Sequence, residues 1–276
     1  MATVDFTRIN TNIAALNSLN TLRDVNKNLA IAQTRLATGR RINEAADDPA
    51  GLTLSTKFDV RAQGLQVAMD NIGDAKNLLA VGEGGLNKIN EILAKMRAKA
   101  EAAASDTLGS TERDTIRQDL ENFAREIDDI VNTTTWNGLR LINSSTSWTF
   151  HTGASSTDTT TWALSYGHSS SDLAINTIDV STAAQAASYM DSLDNAIASV
   201  SASLANIGAM VARLTFKEDN LATAKVNTEA AFNRIRNADM AAEQLNAVKF
   251  QILQQTAIAM LAQANTAPQS ILQLMQ

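Results

Sequence analysis

Apolar residues recur every three or four positions along almost the whole of this sequence, a spacing that leaves room for little besides long amphipathic helices. Ile9, Ile13, Leu16, Leu19, Leu22, Val25, Leu29, Ala32 and Leu36 form the first run, which Gly39 closes with a left-handed residue. Asp47-Asp48-Pro49 then supplies a cap and a helix-initiating proline, so a second helix is predicted from Pro49 to about Ala104, with Ile72, Leu78, Leu79, Leu86, Ile89, Leu93 and Met96 along it. Glycines at 64, 73, 82, 84 and 85 each cost a helix about 1 kcal/mol relative to alanine. Their presence therefore points to close packing against a neighbouring helix, with a hinge at 82–85. Ser110 opens a third helix that runs to about Val131 with Ile116, Leu120, Phe123, Ile127 and Ile130 on one face, and it should fold back along the second.

The periodicity lapses between Asn132 and Val180. Asn137-Gly138 between short β-favouring runs is a hairpin signal, followed by a Ser/Thr-rich tract with Trp148, Phe150, Trp162 and Tyr166. These aromatics are expected to form a small core for the insert. Helical spacing resumes at Ala183 (Leu193, Ile197, Val200, Leu204, Ile207, Val211, Leu214, then Phe232, Ile235, Leu245, Val248, Ile252) and continues almost unbroken to the end. The expected fold is mainly α: an elongated bundle of long antiparallel helices with terminal coiled-coil arms and a small β-containing insert in the middle of the chain.

Charge and composition exclude several functions. A net charge of −6 removes the cationic surface that a nucleic acid backbone requires. Cysteine is absent, so disulfides, thiolate metal sites and cysteine nucleophiles are absent too. No run of about 18 apolar residues suggests a membrane span, and the first residues lack the basic and apolar regions of a cleavable secretory signal. His151 and His168, the only histidines, have no second ligand at metal-binding spacing. Gly82-Glu83-Gly84-Gly85 follows no strand and is a poor phosphate cradle. Asp128-Asp129 and Asp47-Asp48 sit where solvation and capping account for them. No active site, metal or cofactor is expected. The Ser/Thr residues around 144–161 read as a polar loop in preference to a modified one.

The two ends carry the functional signal. From Val248 to Gln276 the only charged side chain is Lys249, and aliphatic residues occupy more than one face of the helix. A helix facing water normally carries charge on its wet side. The N-terminal run from Ile9 to Leu22 has the same Asn/Thr-and-aliphatic texture, so the two ends can pair, yet the pair still leaves apolar surface uncovered. Full burial of an aliphatic side chain is worth about 1.5–3 kcal/mol, so further copies of the chain are expected to cover these arms and to order them. Contact between unlike patches does not close on itself and builds a filament.

Two long stretches bear this out by resemblance. RLATGRRINEAADDPAGLTLS (35–55) resembles the N-terminal signature of bacterial flagellins, and RIRNADMAAEQLNAVKFQILQQTAIAMLAQANTAPQSILQLM (234–275) resembles their C-terminal signature. INTNIAALNSL (9–19) and TTTWNGLRLI (133–142) fit as well. The resemblance implies an N-terminal arm at 1–45 and a C-terminal arm at 236–276 in the inner filament core, rod halves at 46–142 and 181–235, and a small surface-exposed insert at 143–180. It implies a homopolymeric filament outside the cell for swimming, exported without a cleaved signal. An export chaperone on the C-terminal arm and cap and hook-junction proteins would be further partners. The alternatives are a hook-filament junction protein or an adhesin that uses the insert.

Residues expected to serve subunit assembly are Ile9, Ile13, Leu16, Leu19, Leu29 and Leu36 on the first arm and Leu245, Val248, Ile252, Leu253, Leu261 and Leu272 on the last. Arg41, Asn43, Asp47 and Asp48 occupy the bend between arm and rod, either as helix stop and cap or as a direct subunit contact. Where family members recognised by the innate immune receptor carry an Arg- and Leu-bearing patch, this chain reads LAKMRAKAEA at 93–102. Arg97 fits that pattern, but Lys95 and Lys99 depart from it.

Overall fold

The computed structural model describes residues 11–143, 147–164 and 167–274, the side chains of 267–274 excepted. Among these residues α1 (Ile13–Thr38), α2 (Pro49–Ala103) and α3 (Ser110–Thr133) come first, then the strands β1 (Thr135–Trp136), β2 (Leu139–Arg140), β3 (Ser147–His151) and β4 (Thr159–Ala163), then α4 (Ala183–Arg236) and α5 (Met240–Leu274). The chain forms two compact units, 61–226 and 1–60 with 227–276.

In the first of these units the buried residues of each helix keep alternating steps of three and four. On α2 they are Ala75, Leu79, Leu86, Ile89, Leu93, Met96, Ala100 and Ala103, on α3 Leu120, Ala124, Ile127 and Val131, and on α4 Tyr189, Leu193, Ala196, Val200, Ile207, Met210 and Leu214. Such a stripe commits one face of each helix to a shared core. Ion pairs fix the directions. Lys99 Nζ donates to Asp119 at 2.8 Å and Arg113 Nε to the Ala103 carbonyl at 3.0 Å, while Arg97 Nε donates to Asp194 at 2.6 Å and Lys76 pairs with Glu218, so α3 and α4 both run antiparallel to α2. Over 18 residues α4 reaches a mean hydropathy of 1.4, enough by length and composition to cross a bilayer. Its buried positions nevertheless stay on one face, the pattern of a helix packed on one side.

Gly82-Glu83-Gly84-Gly85 lies within the unbroken helix α2 and makes no hinge. At Gly85 the missing side chain is required by packing, because a Cβ there would sit 2.7 Å from Thr134 Oγ1 and 3.2 Å from Ile142 Cδ1.

Asn137 (φ 49°) and Gly138 (φ 79°) turn β1 into β2, as a two-residue hairpin loop demands. β3 and β4 pair antiparallel with Trp148 opposite Trp162. Trp162 joins Leu164, Leu173 and Ile175 in the same core as the helices, and Trp148 and Phe150 pack against its edge. So short an insert therefore covers the helical core instead of closing one of its own; Tyr166 lies outside the described residues.

One difference from the sequence reading lies near the C-terminus. The helix is interrupted at 237–239, where Asp239 Oδ1 accepts the Ala241 and Ala242 N–H groups at 3.0 and 3.2 Å and starts α5 afresh.

Candidate functional site: the paired terminal helices

In the second unit α1 and α5 pair antiparallel. Asn12 Nδ2 donates to the Ala264 carbonyl at 2.7 Å, Gln254 Nε2 to Asn26 at 2.6 Å, and Arg35 Nη1 to Glu243 at 3.1 Å, three cross-links that step along the helices in opposite directions. Asn12 also caps α1 by accepting the Ala15 N–H at 3.0 Å.

Seam residues follow the three-four alternation on both helices. On α1 Val25, Leu29 and Ala32 are buried, with Leu22 and Leu36 half-buried beside them. On α5 the seam is Glu243, Ala247, Phe250, Gln254, Ala257, Leu261 and Ala264, of which Glu243, Ala247 and Ala257 are buried. Thus α5 turns mainly small and polar residues toward its partner and, Leu261 apart, its bulky aliphatic residues away from it. Leu245 is 73 % exposed, Met260 62 % and Ile252 58 %, and Val248, Leu253 and Ile258 are exposed as well. On α1 the outward residues are Ile13 and Leu16, each more than half exposed. A groove of about 360 Å³ runs beside the seam between Asn17 and Thr21 on one lip and Leu253 and Met260 on the other.

Of the expected assembly residues, Ile13, Leu16, Leu245, Val248, Ile252 and Leu253 therefore lie on this open surface. Leu29 is buried in the seam, and Leu19, Leu36 and Leu261 are half-buried. Ile9 and the Leu272 side chain lie outside the described residues.

Both helix breaks fall at one level and are stitched together. The Gly39 carbonyl accepts the Ala238 N–H at 3.0 Å, the Arg41 N–H donates to the Arg236 carbonyl at 2.8 Å, and Arg40 bridges to Asn237. Arg41 Nη2 adds a bond to the Ile235 carbonyl at 2.8 Å. Gly39, at φ 68°, returns its own N–H to the Arg35 carbonyl and so closes α1. Asp47 Oδ2 accepts the N–H groups of Asn43 and Glu44 at 2.9 and 3.1 Å, and these bonds, with help from Arg35, hold its carboxyl below the usual carboxylate range. Asp48 Oδ1 caps α2 through the Gly51 N–H at 2.9 Å. Arg41, Asn43, Asp47 and Asp48 are thus all engaged within the chain. Periodicity alone missed Arg35–Glu243 and Asn26–Gln254, polar pairs set into an apolar stripe.

Among the described residues no group of three or more His, Asp or Glu side chains is placed to hold a metal ion. Asp128, read from the sequence as a solvated helix carboxylate, instead accepts both the N–H and the hydroxyl of Ser170 at 2.7 Å.

Comparison with known proteins gives matches over both ends of the chain. The bacterial flagellin N-terminal helical region matches residues 9–147 and the bacterial flagellin C-terminal helical region matches 190–275. A flagellin of Halalkalibacterium halodurans is 34% identical over 275 residues, spanning 97% of this chain and 99% of its own. The flagellin of Bacillus subtilis is 33% identical over 303 residues, spanning 98% and 100%. A solved structure named for the flagellar hook-associated proteins, from Vibrio parahaemolyticus, superposes with a TM-score of 0.60 over 69% of this chain and 100% of that one, at 15% identity, a likeness of fold.

Proposed function

The chain belongs to the bacterial flagellin family and is a structural subunit of the extracellular flagellar filament that drives swimming, and on that premise we propose that the outward faces of α1 and α5 are its assembly surface. The observation that carries this is the inversion on α5, where Ala247, Ala257 and Ala264 face α1 together with Glu243, Gln254, Phe250 and Leu261, while the larger set Leu245, Val248, Ile252, Leu253, Ile258 and Met260 faces outward. An isolated two-helix coiled coil gains most by the opposite arrangement, with large residues inside. The inverted arrangement is favourable only when neighbours cover the outer face, and in a flagellin those neighbours are further copies.

Ile13, Leu16, Leu245, Val248, Ile252 and Leu253 make the contacts between copies in this reading, and Ile9 and Leu272 are assigned the same role from the sequence alone. Leu29, Leu36 and Leu261 hold the seam, and Leu19 stands at its margin. Arg41, Asn43, Asp47 and Asp48 set the bend from which the arms project. Residues 1–45 and 236–276 are the arms, 46–142 and 181–235 the rod, and 143–180 the small insert on its outside.

The same apolar face needs cover between synthesis and assembly, which an export chaperone on the C-terminal arm provides. Cap and hook-junction proteins cover it at the two ends of the filament. The N-terminal arm stays on the assembled subunit, so the intact mass of filament subunits includes it. The role is structural and not catalytic.

Seeding purified full-length chain under salting-out conditions tests this, read by electron microscopy and circular dichroism. The full chain grows filaments; a chain lacking 1–40 and 240–276 keeps the folded core of 61–226 and does not grow. Growth of the shortened chain overturns the assignment.

A further inference from the structure

The stretch Gly167–Ile175, which follows β4, lies against α3 and α4 and is held there by two side-chain anchors. Ser170 donates its N–H and its hydroxyl to Asp128 on α3. His168 is fully buried, and its Nε2 pairs with Ser203 Oγ on α4 at 2.9 Å, while its Nδ1 has no hydrogen-bond partner among the described residues. Leu173 and Ile175 of the same stretch are part of the helical core. Gly167 has no room for a side chain, because a Cβ would meet the Asp172 carboxylate at 2.2 Å and the Asn143 carbonyl at 2.8 Å.

This geometry suits a neutral imidazole. Either neutral tautomer satisfies the pair with Ser203, whereas an imidazolium brings two N–H groups into a site that offers one side-chain partner. The facing groups are Ser203 from α4, the Ile142 carbonyl from the segment after β2, Asp172 from the stretch itself and, through Ser170, Asp128 from α3. Burial dominates and lowers the His168 pKa from its ordinary value, against the opposing pull of the Ile142 carbonyl and of Asp172.

We propose that residues 167–175 form an acid-released clamp on the insert, closed while His168 is neutral and opened by its protonation, which uncovers the core edge at Leu173 and Ile175. The sign follows from a base whose pKa is lower when closed than when open. Both states are neutral above the ordinary histidine value of about 6.5, so the clamp has its full stability there. Below that value the open state takes up the proton first, and the closed-to-open ratio falls about tenfold per pH unit until the closed form titrates as well.

Hydrogen exchange of the full-length unpolymerised chain between pH 7.5 and about 5 tests this, corrected for the intrinsic pH dependence of exchange, in a range where ordinary carboxylates stay ionised. In the unaltered chain protection of amides 168–175 falls by up to tenfold per unit below about 6.5. In His168→Gln, which carries an amide that cannot titrate, that slope vanishes. Amides of α2 and α4 report whether His168→Gln still folds. Asp172→Asn keeps the histidine and removes a carboxylate that favours its charge in the closed form, so the onset stays near 6.5 and the fall continues to lower pH before it levels. A flat profile in the unaltered chain, an equal slope in His168→Gln, or a fall in Asp172→Asn that levels off at higher pH than in the unaltered chain each overturns the proposal.

Discussion

Replacing Leu245 and Ile252 together by alanine separates the surface of the arm from its seam. At 73 % and 58 % exposure these side chains contribute little to folding of the single chain, so its stability should change by no more than about 0.5 kcal/mol, as for ordinary surface substitutions. On the proposed assembly surface their exposed parts are covered by another copy. Full burial of a Leu or Ile is worth about 1.5–3 kcal/mol, and the fractions still open, less what the alanine methyls retain, leave about 2 kcal/mol for the pair. At 1.4 kcal/mol per factor of ten the critical concentration for polymerisation should rise about 30-fold. Sedimentation of seeded reactions over a dilution series measures that concentration, and thermal melting by circular dichroism measures the monomer. Leu29→Ala is the contrast: Leu29 is 8 % exposed in the seam, and removing it should cost about 2–5 kcal/mol within the arm itself. If the double variant assembles at the unaltered concentration, or melts its monomer as Leu29→Ala does, the outward face is not the assembly surface.

Three further outcomes follow from the packing. Gly85→Ala should destabilise the 61–226 unit by about 1–3 kcal/mol through overpacking against Thr134 and Ile142, outweighing the roughly 1 kcal/mol gained in helix propensity, as read from denaturant unfolding. Asp48→Ala removes the cap on the Gly51 N–H and should cost about 1 kcal/mol, seen as faster amide exchange at 51–53. Asp47 has a lowered carboxyl pKa, so the stabilisation from its bonds to Asn43 and Glu44 is complete above its ordinary value of 3.8 and is lost as pH falls through the lower, folded one. Acid exchange at amides 43 and 44 should show that loss, and Asp47→Asn should remove it.

Local chemistry was legible where the sequence carried it locally. Gly39 closes α1, Asp48-Pro49 opens α2, and Asn137-Gly138 turns a hairpin, each through a backbone preference that needs no partner. The break at 237–239 was not legible, because Asn237-Ala238-Asp239 contains neither glycine nor proline and its bonds go to Gly39 and Arg40, almost two hundred residues away in sequence. The Asp239 cap was the one local sign of it. Which face of α5 meets α1 was likewise hidden, since a helix with aliphatic residues all round has no charged side to identify the wet one. Leu29 and Leu245 look alike in the sequence, and only the partner helix separates seam from surface. Asp128 and His168 take their environments from Ser170 and Ser203, contacts that no spacing rule reaches.

The chain contains no cysteine, so a single one placed at 245, 252 or 258 gives a site-specific probe of the central claim. Maleimide labelling of each variant should be fast in the monomer and suppressed by at least about tenfold in the assembled filament, as expected when neighbouring copies bury the outward face of α5. Equal labelling of monomer and filament at all three positions would show that this face stays open to water after assembly, and would contradict the account.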